Sequence, residues 1–229
     1  MKISCIVPSA GKGKRLKANV DKVFVLLDNK PILYYTLKNL EASKEIGEIV
    51  LVVSKESLEF SCNEFLKKFK FSKIKKIVEG GKTRTESVWR GLQSADEKSK
   101  FILIHDGARP FVDEDCLNRL IKAGEEFGSA VLGLPITSTV KKVRNSFVSK
   151  TVPRDYLWEI QTPQIFKRDL IIDCYKKAIE EKFIATDDAQ ILEHYGYKVK
   201  IVKGSPLNIK ITTPEDLTLA KAILKIRSK

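Results

Sequence analysis

The sequence predicts an α/β fold: a mostly parallel sheet with helices on both faces and one inserted β-hairpin. Three observations carry that expectation. Short apolar runs rich in β-branched residues alternate with helical patterns along all 229 residues. Those runs are near-continuous rather than alternating, as strands covered on both faces are. One stretch, 136–162, breaks the rhythm with two polar-patterned strands about a short turn.

Ile3-Ser4-Cys5-Ile6-Val7 reads as the first buried strand, with a glycine turn directly behind it. Pro31 fits the first turn of a helix running to about Ser43. Glu48 to Val53 is the second strand, Lys55 to Phe69 a helix, and Ile74 to Val78 the third strand, closed by Gly80-Gly81. Thr83 to Gln93 is helical, Phe101 to His105 the fourth strand, Cys116 to Phe127 a helix and Ala130 to Pro135 the fifth strand. Thr137–Val143 and Phe147–Val152 flank Arg144-Asn145-Ser146 and read as the hairpin, either an active-site flap or an arm that meets a partner subunit. Helices follow near Leu170–Glu181 and Asp187–Tyr195, then a strand at Lys198–Val202 and a last helix from Pro214 to Ile226.

Composition narrows the function classes. Hydrophobic residues make up 43% and aromatics 8%, enough for a sizeable core. Cysteines 5, 62, 116 and 174 form no C-x-x-C pair and there are only two histidines, so a Cys/His zinc site is not expected. Lys and Arg number 42 against 29 acidic residues, a net charge of +13 that admits nucleic acid, an anionic membrane or a phosphate-rich substrate. Lysine outnumbers arginine 33 to 9 and aromatics are not interleaved with clustered arginines, which argues against a nucleic-acid-binding module. The apolar run Ile3 to Pro8 is too short for a signal peptide core or a membrane span, and with unpaired thiols a cytoplasmic location is expected.

Four segments carry chemistry. Pro8-Ser9-Ala10-Gly11-Lys12-Gly13-Lys14-Arg15-Leu16 follows the first strand, where an open α/β sheet places ligands, and its glycines let backbone N–H groups approach an anion. It lacks the Gly-Lys-Ser/Thr of a P-loop. Leu16 stands where a dinucleotide fingerprint needs a third glycine, and Ser54-Lys55 where it wants an acid, so a dehydrogenase is disfavoured. What remains is a short glycine loop with Arg15 beyond it and Lys22 further on, a combination suited to a triphosphate. Glu79-Gly80-Gly81-Lys82-Thr83-Arg84-Thr85-Glu86-Ser87 opens a helix and fits either a plain cap or a base or phosphate site. In His105-Asp106-Gly107-Ala108-Arg109-Pro110 the carboxylate at a strand's end is suited to hold Mg²⁺ against a phosphate, and Arg109 to clamp a second anion. His105 reads as a packed strand-end residue. The fourth group is Thr151-Val152-Pro153-Arg154 with Gln161-Thr162-Pro163-Gln164, where Arg154 is another candidate phosphate clamp. Thr186-Asp187-Asp188-Ala189 reads as a helix cap or a ligand contact, and Asn208-Ile209-Lys210 places Lys210 on an extended segment before the last helix.

Taken in order, these motifs resemble the 2-C-methyl-D-erythritol 4-phosphate cytidylyltransferase family from about Ile3 to Leu219. The resemblance implies a Rossmann-like nucleotidyltransferase fold, one domain over 1–229 with a protruding arm at about 136–155. It implies transfer of CMP from CTP to a sugar-alcohol phosphate with Mg²⁺, releasing pyrophosphate, by homodimers whose arms reach into each other's sites. Arg15, Lys22 and Lys210 would then hold the triphosphate and the charge developing at phosphorus, with Arg154 completing the catalytic set. Ser9, Ala10, Gly11 and Gly13 would line the nucleotide, with Gly81 and Ser87 near the cytosine. Asp106 would sit at the metal, nucleotide and acceptor, with Arg109 beside it. Thr139 and Arg154 would come from the partner's arm to the acceptor, with Thr162, Thr186 and Lys210 completing that pocket.

Four positions depart from the family pattern the resemblance implies: Ser9 replaces an alanine, Asp21 and Val23 replace the proline and glutamine around Lys22, and Lys82 stands where an Asp is frequent. An acceptor phosphate is already ionised at neutral pH, so no general base is required, in keeping with the lack of a Ser–His or Cys–His pair. A transferase for ribitol 5-phosphate on the same scaffold is the alternative, separable by the arm around Thr139 and Arg154.

Overall fold

The computed structural model describes residues 3–11, 13 and 21–227. Its centre is a seven-stranded sheet built from β1 (Ile3–Pro8), β4 (Ile46–Val53), β5 (Ile74–Glu79), β6 (Phe101–Ile104), β7 (Ser129–Pro135), β10 (Trp158–Lys167) and β11 (Lys200–Lys203). Their order across the sheet is β11-β7-β10-β6-β1-β4-β5. β1 pairs in parallel with both β4 and β6, and β4 with β5, while β10 alone runs antiparallel, between β6 and β7.

The side chains of β1 and β4 divide between two apolar layers, as a doubly covered sheet requires. Cys5, Val7, Ile49 and Leu51 lie in one layer with Leu33 and Leu37 of α1 (Ile32–Ala42) and Leu117 and Leu120 of α5 (Glu114–Phe127). Ile6, Val50 and Val52 face Val88 and Leu92 of α4 (Arg84–Ser94), with α6 (Arg168–Glu180) and α7 (Asp188–His194) in the same layer. A last helix, α8 (Pro214–Arg227), closes a smaller cluster with Leu27, Ile32 and Phe111. The helix expected over 55–69 is present as α2 (Lys55–Phe60), a wider turn at Ser61–Phe65 and α3 (Leu66–Phe69).

The inserted hairpin is β8 (Val140–Arg144) with β9 (Phe147–Val152), a separate two-stranded sheet turned at Asn145 and Ser146, both at positive φ. A smaller pair, β2 (Leu26–Leu27) and β3 (Lys30–Pro31), turns at Asp28 and Asn29 in the same way.

One strand is missing from the sequence reading. The stretch through Gln161-Thr162-Pro163-Gln164, to which the sequence assigns no element, is the middle of β10, a ten-residue strand inside the sheet. Its register slips between Gln161 and Gln164, so the proline falls at an irregularity where the ladder needs no donor.

Candidate active site

The chain runs from β1 outward to β4 and β5, then returns to the other side of β1 as β6. Ligands in open α/β sheets bind at such a reversal, beyond the carboxyl ends of the strands. The loops after β1, β5 and β6 meet there around a cleft of about 700 Å³, lined among others by Ala10, Lys22, Gly81, Arg84, Asp106 and Lys210.

β4 organises two of these loops through its last carbonyls. Ser9 N–H donates to Val52 O at 2.6 Å, and Gly80 N–H to Val53 O at 2.8 Å. The β6 loop leans on the β1 loop, with Gly107 N–H donating to Pro8 O at 3.2 Å. A side chain on Gly107 would meet the Ser9 hydroxyl at 2.1 Å, so this approach requires glycine. Gly13 lies in the left-handed region at φ +57°, with the stem of Lys22 directly over it. Gly81 N–H donates to the Ser87 hydroxyl at 3.0 Å, and Thr83 caps α4 by accepting from Glu86 N–H at 3.1 Å. Lys82 is on the cleft rim, its N–H bound to Glu86 at 2.8 Å.

Asp106 is buried and surrounded by cations. Lys210 Nζ stands 2.6 Å from its Oδ2, Arg84 Nε 3.3 Å from Oδ1, and Arg109 Nε 3.9 Å from Oδ2. Burial alone would raise its pKa, but Arg84, Lys210 and Arg109 outweigh that and hold the carboxyl well below the usual range. It is a fixed anion. Lys210 is brought there by backbone contacts on either side of it. Asn208 donates to Thr162 O at 2.8 Å and accepts from Arg109 at its own carbonyl at 2.8 Å, while Ile211 N–H donates to Ala108 O at 2.9 Å.

Thr162 ties β10 to the same cluster. Its hydroxyl accepts from Asp106 N–H at 3.0 Å and lies 3.1 Å from His105 Nδ1, while His105 Nε2 lies 3.0 Å from Arg109 O. Burial pushes the His105 pKa down to about 4, so the ring is neutral at pH 7 with both nitrogens engaged. It has no lone pair to offer a substrate proton.

Arg84 was not among the candidate residues read from the sequence. Its two terminal nitrogens bind Asp188 at 2.8 and 2.7 Å, a two-point fork onto a carboxylate with no exposure. Tyr175, fully buried, donates to the same carboxylate. A signal was available: a cation in the first turn of a helix opposes the macrodipole, so Arg84 needs a specific acidic partner. Asp187, not Asp188, supplies the expected α7 cap, accepting from Gln190 N–H at 3.0 Å.

The remaining candidates are distributed more widely. Arg109, read as an anion clamp, is almost wholly buried, with one terminal nitrogen held by Asn208 O. Thr186 is exposed and directs its hydroxyl to Gln190 at 3.0 Å. Thr139 and Arg154 are exposed at the base of the hairpin, where Arg154 donates to Thr137 O. Arg15 lies outside the described residues.

Comparison with known proteins gives the family. Residues 3–226 match the family described as IspD: 2-C-methyl-D-erythritol 4-phosphate cytidylyltransferase. The enzyme of that name from Clostridium novyi is 44% identical over 221 residues, covering 96% of this chain and 95% of the relative. Its counterpart from Caldanaerobacter subterraneus is 40% identical, covering 98% of this chain and 100% of the relative. Among solved structures, the 4-diphosphocytidyl-2C-methyl-D-erythritol synthase of Anaerococcus prevotii superposes with a TM-score of 0.84 at 35% identity, covering 97% of this chain and 98% of that one. The Thermus thermophilus 2-C-methyl-D-erythritol 4-phosphate cytidylyltransferase gives 0.82 at 29% identity, over 98% and 100% of the two chains. A nucleotide-sized cleft at the sheet's reversal and end-to-end similarity lead to one conclusion: this chain belongs to the 2-C-methyl-D-erythritol 4-phosphate cytidylyltransferase family.

Proposed function

We propose that this chain transfers CMP from CTP to 2-C-methyl-D-erythritol 4-phosphate, releasing pyrophosphate and forming 4-diphosphocytidyl-2-C-methyl-D-erythritol. The observation that carries this reading is Asp106 held by Lys210 and Arg84 inside the cleft that Lys22 and the β1 loop also line. A family match over residues 3–226 favours methylerythritol phosphate over ribitol 5-phosphate as acceptor.

The chemistry follows from what the cleft holds. The triphosphate would lie against the backbone of Gly11 and Gly13 beside Lys22, with the cytosine at Gly81 and Ser87. The acceptor phosphate, with a second pKa of about 6, arrives as an anion and attacks the α-phosphorus in line, expelling pyrophosphate. No proton has to be removed, so the engaged and neutral His105 is no obstacle. Lys22, Lys210 and Arg15 would stabilise the charge developing on the phosphorus oxygens, and Asp106 would orient acceptor hydroxyls.

Mg²⁺ belongs to this proposal. Asp106 is a buried carboxylate in the cleft lining, and the described residues hold no group of three or more His, Cys, Asp or Glu side chains placed for a metal. That donor set fits an ion that takes one or two carboxylates and completes its shell with water and substrate phosphates. Asp106 would hold it, and the ion would supply charge neutralisation to the phosphates.

The hairpin supports a homodimer. Phe147, Val148 and Val143 are 78%, 63% and 56% exposed on an arm that carries Thr139 and Arg154 at its base. An arm laid on a partner would cover these side chains and bring both polar groups to the partner's cleft. The buried free thiols of Cys5, Cys116 and Cys174 suit a reducing cytoplasm. No helix among the described residues is long and apolar enough to cross a membrane.

The test is pyrophosphate release from CTP with either acceptor phosphate. Release with methylerythritol phosphate is the expected result. Release with ribitol phosphate alone overturns the acceptor, and release with neither overturns the activity.

A further inference from the structure

Asp21 immediately precedes Lys22, and its surroundings give it a function. Its Oδ2 accepts from the Ser57 hydroxyl at 2.6 Å and from the Ser54 hydroxyl at 2.5 Å. Ser54 is the residue after β4 and also caps α2, its Oγ accepting from Ser57 N–H at 3.2 Å. The anchor is therefore the end of the same strand whose Val52 and Val53 carbonyls hold the Ser9 and Gly80 loops.

A second anchor lies just past Lys22. Asp21 O accepts from Phe24 N–H at 2.9 Å, closing the short turn Lys22–Phe24, in which Val23 and Phe24 are buried. The Phe24 ring meets Phe60 edge-on at 5.0 Å and Phe65 at 5.8 Å. Lys22 is thus carried between a carboxylate–hydroxyl clasp and an aromatic one, both on the helical segment that starts at Lys55. Its stem passes over Gly13 and Gly11, and it lines the cleft.

A carboxylate beside a triphosphate site repels the ligand in Coulomb terms. Placing one there makes sense where its oxygen is needed as a hydrogen-bond acceptor. We propose that Asp21 is a positioning residue: with Ser54 and Ser57 it fixes the Lys22 turn, and so sets affinity for the triphosphate of the nucleotide. The proposal rests on the reading of the cleft given above.

Calorimetric titration with CTP in the presence of Mg²⁺, without acceptor, tests it. Asp21→Ala and Ser57→Ala are expected to weaken CTP binding, the former on the order of tenfold, as loss of a hydrogen bond to a charged group implies. Asp21→Asn keeps an acceptor oxygen and lowers the repulsion, so it is expected to bind within about twofold of wild type. In a Lys22→Ala background, Asp21→Ala is expected to add little, because the clasp acts through that side chain. The KM for the acceptor should not move. Ser57→Ala leaves both the acid and the Ser54 cap, so it carries the test if Asp21→Ala folds poorly. Wild-type affinity in both Asp21→Ala and Ser57→Ala overturns the proposal, as does an Asn variant as weak as the Ala variant, or an undiminished effect without Lys22. If wild-type protein fails to bind CTP, the functional reading itself is overturned.

Discussion

Lys210 Nζ and Asp106 Oδ2 stand 2.6 Å apart, joining the segment before α8 to the end of β6 across the mouth of the cleft. Lys210 is about one-third exposed, whereas the carboxylate is buried, so the cation is the mobile half of the pair. When a triphosphate enters, the same ammonium can face phosphate oxygen while Arg84 and Arg109 keep Asp106 ionised. Lys210→Met is therefore expected to lower kcat by on the order of 10²–10³, the usual cost of removing one preorganised charge stabiliser. Its thermal midpoint should stay near wild type. Steady-state pyrophosphate release and a melting curve on the same preparation check both halves, and near-normal turnover would remove Lys210 from the catalytic set.

Arg84 links two carboxylates of unequal function. Asp188 is fully buried and receives the fork, while Asp106 faces the cleft and receives Nε. Burial by itself would lower the Arg84 pKa, but Asp188 and Asp106 outweigh it and hold it well above its ordinary value. Removing Asp188 leaves a part-buried guanidinium without its main counter-charge and Tyr175 without its acceptor, so Asp188→Ala should cost about 3 kcal/mol in urea denaturation. The double variant Arg84→Met/Asp188→Leu, which replaces the pair with apolar side chains, should recover much of that stability. It should not recover turnover, because Asp106 has lost a cation that fixes it. Recovery of both would reduce Arg84 to a packing residue.

The contrast between Asp106 and Arg84 shows what the sequence discloses. Asp106 is legible because it follows a run of four fully apolar residues, so its place at a strand's end can be counted. The strands β1, β4 and β6 are legible for the same reason. Strand β10 is not: Gln161, Thr162 and Gln164 are buried polar residues in its middle, and their place depends on distant partners. Gln164 donates to Asp187 at 2.8 Å and accepts from Ala189 N–H at 3.0 Å, and Gln161 donates to Ser205 O at 3.0 Å. Buried polar groups require such bonds, but a one-dimensional pattern does not say who supplies them. Asp188 is hidden in the same way, an ordinary acidic first-turn residue, and Arg84 in its own first turn calls for a carboxylate without showing which one until the two helices are brought together.

The hairpin offers a test in which two inactive proteins make an active one. If Arg154 serves the cleft of the other subunit while Lys210 serves its own, each single variant loses both sites of its homodimer. Mixing Arg154→Ala with Lys210→Met under conditions of subunit exchange creates heterodimers in which one site lacks both groups and the other lacks neither. At equal amounts, about a quarter of all sites should regain activity. No recovery despite demonstrated exchange would place Arg154 in its own chain's cleft or outside the site. Phe147→Glu, at the exposed tip, should shift sedimentation toward monomer and abolish acceptor turnover.

His105 predicts a specific pH dependence of stability in the metal-free protein. The unfolded imidazole has a pKa near 6.5, and burial takes the folded one down to about 4. Between these values the unfolded chain binds a proton that the folded chain refuses, so stability rises with pH across that window. The contribution is fully present above pH 6.5 and is lost as pH falls toward about 4, amounting to roughly 3 kcal/mol at most. The physical cause is burial: a charged imidazolium would lose its hydration there, and the Asp106 charge and the contacts to Arg109 O and Thr162 offset that loss only in part. Asp106 adds a second loss of the same sign at lower pH, because its carboxyl is held ionised in the folded protein below the usual range. Urea midpoints at pH 7, 6, 5 and 4 for wild type and His105→Gln separate the two. The difference between the curves should shrink as pH falls through 6.5 to about 4, since glutamine has no proton to refuse. Parallel curves would show that His105 titrates alike in folded and unfolded protein, contrary to its complete burial.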